Sequence, residues 1–161
     1  MISHHLAELR SGALAFGIAL VGAKPAKPNL VRLLQAFFET AVPAPRCFQS
    51  LQARLLPAGI CHRNDVILAQ AAPANNALIA GEVWLHASAD GLVVTLCNLF
   101  RPIGKFAGGV EQRWDASENH LELIDTSSIV ATVVHSPVNR GIVRLIAPWH
   151  LRNRDLWDPL R

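Results

Sequence analysis

Three residue pairs in this chain of 161 carry groups that could work on a substrate: His135 beside Ser136, His62 close to Asp65, and Glu122 close to Asp125. An imidazole next to a hydroxyl can activate it as a nucleophile, and neighbouring carboxylates can divide acid and base roles. Neither chemistry works without its context, and no G-x-S-x-G turn surrounds Ser136 to present it as a nucleophile. Gly104, Gly108 and Gly109 around Lys105 lack the G-x-x-x-x-G-K-[ST] order and stand before a strand pattern, so no helix N-terminus follows to hold phosphate. A flexible loop is expected there, and no catalytic residue is assigned.

Metal chemistry fares no better. His4 and His5 are adjacent and point apart on a helix, Cys61 and His62 point to opposite faces of a strand, and no C-x-x-C or H-x-x-x-H spacing occurs. No metal ligand and no cofactor follow from the sequence. Cys47, Cys61 and Cys97 are an odd number without close pairing, which favours free thiols and a reducing cytoplasm. Arg10 ahead of the apolar run from Gly12 to Ala23 is the one pattern that points to export, and the two upstream histidines and Glu8 weigh against it. No apolar run approaches the roughly 18 residues that span a bilayer, so no membrane partner is expected.

The charges are distributed unevenly. Residues 1 to 139 balance ten Lys or Arg against ten Asp or Glu, while the last 22 residues hold five arginines against Asp155 and Asp158. Two of the four tryptophans, Trp149 and Trp157, stand in the same segment. Trp and Arg dominate binding hot spots because they join large contact area to directed hydrogen bonds. Arg144, Trp149, Arg152, Arg154, Trp157 and Arg161 are therefore the expected binding surface, taking an acidic protein or nucleic acid; a strap folded over the protein's own core is the alternative. Trp84 and His86, two apart on one strand, would share a face that could border a ligand pocket, although ordinary packing is the commoner role of such a pair.

The elements that must position these groups read as α+β, in one domain over 1–161. From Ala13 to Val21 large Leu14, Phe16, Ile18 and Leu20 alternate with small residues, the period of a strand. Asn29 offers an N-cap, and Leu30, Leu33, Leu34, Phe37, Phe38 and Ala41 recur at helical spacing until Pro43, which predicts one principal helix over 29–42, with Leu33, Leu34, Phe37 and Phe38 largely buried together with Leu14, Phe16, Ile18 and Leu20 of the strand before it. Extended residues 48–56 follow. Further strands are expected at 66–70, 77–86, 92–100, 110–114, 120–125, 128–135 and 141–147, with a hairpin through Ser88, Asp90 and Gly91. About eight short strands without helix alternation predict a mainly antiparallel sheet with the helix packed on it.

Three partial patterns resemble known families. Trp84-Leu85-His86 through Asp90-Gly91 to Val94-Thr95-Leu96 is similar to heme-utilisation proteins, and Gly81-Glu82-Val83 with the strands after it to the small β domain of flagellar and type III secretion rotor proteins. Phe16 to Gly22 followed by the Asn29 helix resembles the start of ferredoxin-like CRISPR RNA-processing proteins. Each resemblance covers under half the chain and they imply different functions, so no family is assigned. The expected function is a non-catalytic binding module or complex subunit, with a small enzyme or ligand carrier, heme among its ligands, as the alternative; the carrier would use a pocket between helix and sheet.

Overall fold

The computed structural model describes residues 17–55, 59–72, 77–107, 111–139 and 141–146. These residues form one α-helix and fourteen strands, and the strands belong to three antiparallel sheets. The chain divides into two compact units.

The first unit comprises Met1–Arg63, Val83–Leu96 and Leu123–Ser127. Its helix, α1, spans Pro28–Phe38, shorter at its C-terminal end than the expected 29–42. Pro28 occupies the first helical position, where its missing N–H costs nothing, and Lys27 rather than Asn29 is the N-cap. The Lys27 amide donates instead to Gln49 Oε1 at 3.0 Å. The helix stops well before Pro43, because Glu39 turns left-handed at φ 51°. Its amide donates to the Ala36 carbonyl and that of Thr40 to Gln35, the paired bonds of a Schellman ending.

Leu30, Val31, Leu34 and Phe38 are the buried face of α1. They pack with Cys47, Ala87, Ala89, Leu92 and Val94 from the strands beneath. Leu33, expected in this core, is 48% exposed, and Phe37 is half-buried with its ring edge-on to Phe38 at 5.0 Å. The apolar positions of the helix span a wider arc than one sheet can cover, so only the 30/31/34/38 stripe faces inward. Leu14 and Phe16 lie outside the described residues.

Beneath the helix, β2 (Lys24–Pro25), β3 (Cys47–Ser50), β7 (Ala77–Ala89), β8 (Leu92–Leu99) and β11 (Leu121–Asp125) lie in sheet order 2-3-7-8-11, β7, β8 and β11 giving this unit only residues 83–89, 92–96 and 123–125. The β7–β8 hairpin turns on Asp90 and Gly91 at φ 51° and 79°, the pair of positive angles that an Asp-Gly two-residue turn supplies. A second sheet of β1 (Ala19–Val21), β4 (Gln52–Leu55) and β5 (Gly59–His62) completes the unit, in order 1-4-5.

The second unit comprises Asn64–Glu82, Cys97–Glu122 and Ser128–Arg161. Here β6 (Val66–Ala72) pairs with the first part of β7 and with β12 (Ile129–Thr132). A four-stranded sheet runs β13 (Val134–Asn139), β14 (Ile142–Ile146), β10 (Glu111–Asp115), β9 (Arg101–Ala107). Trp114, Leu145, Phe100 and Leu68 centre its core. The segment read as a glycine-rich loop is thus in part strand β9. Its Pro102 escapes the usual penalty because β9 ends the sheet, and Pro137 sits likewise on the edge strand β13. The other strands beyond the expected eight arise where one apolar run breaks in two, as at Leu51 and Val133, or where a strand is too short to show alternation, as in β2 and β5.

Asp115 organises the loop after β10. The Ser117 amide and hydroxyl donate to its Oδ1 at 2.9 and 2.5 Å, and Arg101 donates to Oδ2 at 2.8 Å. The two Ser117 bonds, then the guanidinium, hold this carboxyl down at about 2 from its ordinary 3.8. Because the folded value is the depressed one, the stabilisation is present in full above the ordinary value and is lost as pH falls through the folded one. Asp115→Asn is therefore expected to unfold more readily than the parent at neutral pH, with the difference closing between pH 3.8 and about 2. Urea titrations across that range check it; a pH-independent difference would refute it.

Candidate functional site

Of the six residues expected to form the binding surface, Arg144 is the one described. It lies half-buried on β14, opposite Arg113 and Ser136 in the register. Trp149, Arg152, Arg154, Trp157 and Arg161 lie outside the described residues.

Among the groups considered for catalysis, His135 is exposed opposite Leu145 on β13, and His62 is exposed at the end of β5. Glu122 pairs with the His120 imidazole at 2.8 Å, both largely exposed, rather than with Asp125, whose carboxylate accepts from the Ser127 amide. Cys47, Cys61 and Cys97 are buried, and none is in a disulfide. Burial first, then Glu122, pushes the Cys97 thiol up to about 12, and burial with Asp90 raises Cys47, so both resist becoming nucleophilic thiolates. No group of three or more metal-ligating side chains occurs among the described residues.

A different site is assembled in the first unit. Strand β3 pairs with β7 only as far as Ser50 opposite His86, so Leu85 and Trp84 run past its end. From Ser50 the chain departs into the β4–β5 hairpin and returns at Arg63, whose amide donates to the Leu51 carbonyl at 2.8 Å and closes the base of that excursion. An open groove of about 770 Å³ results, bordered by the start of α1, the turn after β1, the Ser50 to Gln52 corner, Arg63 and Trp84. That volume falls within the range of ligand sites.

Leu30, Leu85 and Leu96 line the groove as buried or half-buried side chains. Leu33, Leu51 and Trp84 also line it, 48%, 51% and 41% exposed, a concentration of uncovered apolar surface in one place. The Arg63 guanidinium carbon stands 6.0 Å from the Trp84 ring centre, within cation–π range. Among the described residues, Lys24, Lys27 and Arg63, all exposed, are its charged lining, and no carboxylate lines it. Three cations with no carboxylate among the described lining residues create a positive field that favours an anionic ligand. No protein-family model, curated protein or solved structure matches this chain.

Behind the groove strand lies a buried polar chain. His86 Nδ1 and Thr95 Oγ1 are 2.8 Å apart, and Thr95 Oγ1 is 2.8 Å from Thr126 Oγ1. Thr95 has one hydroxyl proton to give, so the His86 tautomer sets the direction of the whole chain. Trp84 and His86 thus play opposite parts, one exposed in the groove and the other fully buried.

The sequence drew attention to Trp84, and the other groove residues went unnoticed. Lys24 and Lys27 did carry a signal, being two of only three lysines in the chain, close together around Pro25. Leu33 counted as core by its spacing, and Arg63 stood in a polar turn with nothing to mark it.

Proposed function

We propose that this protein is a non-catalytic binding module whose groove in the first unit receives an acidic partner. The observation that carries the reading is the groove lining, in which exposed Leu33, Leu51 and Trp84 lie among Lys24, Lys27 and Arg63 with no carboxylate among the described residues. Apolar surface supplies affinity through burial, and the cations supply attraction at a distance and select against basic partners. No helix among the described residues is long and apolar enough to cross a membrane.

The test compares the removal of positive charge at different places. Poly-glutamate binding is measured for Lys24→Gln with Arg63→Gln, for Arg32→Gln with Arg54→Gln, and for Arg152→Gln, Arg154→Gln and Arg161→Gln together. Arg32 and Arg54 are exposed and lie outside the groove lining. The groove pair is expected to weaken binding about tenfold, and the Arg32/Arg54 pair by much less, since exposed charges act chiefly within a Debye length of about 8 Å. Loss confined to the C-terminal variant would transfer the docking surface to that segment and defeat the groove reading.

A further inference from the structure

An acidic partner could present phosphates and bases or carboxylates and side chains, and the groove discriminates between them. Its apolar lining is mainly aliphatic, with Leu33 and Leu51 most exposed and Leu30, Leu85 and Leu96 beneath. Trp84 is the one aromatic residue among the described lining residues, and Arg63 already stands over its ring. Single-stranded nucleic acid is held by stacking successive bases on aromatic platforms, and one indole shared with a guanidinium provides too little of that surface. Aliphatic walls instead match the side chains of a polypeptide, through the burial of apolar area. Resting on the reading of the groove as the site of an acidic partner, we infer that its occupant is a linear peptide segment in which Asp or Glu residues flank a large apolar side chain. Leu33, Leu51 and Trp84 cover the apolar side chain, and Lys24, Lys27 and Arg63 take the carboxylates. An apolar anchor that carries most of the affinity, with charges beside it, is the usual composition of an interface hot spot.

Fluorescence anisotropy with three labelled probes tests this on the full chain: the peptide Asp-Glu-Leu-Phe-Glu-Asp, the same peptide with Leu and Phe replaced by Ser, and a short oligo-dT. The apolar peptide is expected to bind about tenfold tighter than its serine version. Trp84→Ala and Leu51→Ser are each expected to weaken the apolar peptide by about tenfold and the serine peptide by much less. Both side chains are substantially exposed, so the variants keep their fold, which an unchanged melt verifies. Equal binding of the two peptides would overturn the apolar anchor and leave the cationic groove standing. Tighter binding of oligo-dT than of either peptide, lost in Trp84→Ala, would assign the groove to nucleic acid and overturn the peptide. Should no probe bind, or should Lys24→Gln with Arg63→Gln leave the apolar peptide's affinity intact, the inference and the proposed function fall together.

Discussion

Replacing Phe38 by alanine is expected to lower the unfolding free energy by about 3–5 kcal/mol, the range for emptying a buried phenylalanine site. Phe38 is 2% exposed and belongs to the cluster that joins α1 to Cys47, Ala87 and Val94. Its substitution removes a large apolar surface and leaves a cavity that the rigid strands beneath cannot close. The effect on Tm is large, since each 1 kcal/mol shifts a chain of this size by roughly 2–4 °C. The neighbouring Phe37, half-buried, is the internal control: Phe37→Ala is expected to cost clearly less. Urea or thermal unfolding of the two variants decides it, and equal destabilisation would show that the helix face has been assigned wrongly.

The second large effect belongs to the buried polar chain. Thr95→Val keeps the shape of the side chain and removes the hydroxyl that joins His86 to Thr126, each at most 1% exposed. Two buried groups then lose that bond together, at an expected cost of about 1–3 kcal/mol. Thr95→Ser separates this from packing, because it keeps the hydroxyl and gives up one methyl group worth about 0.8 kcal/mol. If unfolding measurements found the serine variant less stable than the valine variant, packing rather than hydrogen bonding would be the reason Thr95 is there.

Much of the secondary structure was legible because it follows from local rules. The β-branched and apolar run from Leu92 to Leu99, the positive-φ demand met by Asp90-Gly91 and the helical spacing of Leu30, Leu34 and Phe38 act over a few residues, and each appeared where its pattern stands. Boundaries were less legible. The helix ends where Glu39 accepts a left-handed conformation, not at Pro43, because two backbone bonds satisfy the last carbonyls earlier than the proline obliges them to. Strand β9 was hidden by Pro102 and Gly104, residues that count against a strand except at a sheet edge, and edge position is a property of the whole sheet.

Composition, charge and spacing, taken alone, pointed to a mainly antiparallel α+β chain with one principal helix. The tertiary structure alone decided which of the apolar residues would remain uncovered. Lys24, Lys27, Leu33, Leu51, Arg63 and Trp84 come from segments as much as 60 residues apart, and they meet because β3 stops pairing with β7 at His86 and the chain between Ser50 and Arg63 folds away into β4 and β5. A side chain's type is local, but its burial depends on which strand happens to lie beside it; register and strand ends are settled by contacts between distant segments, and those leave no periodic trace in the sequence.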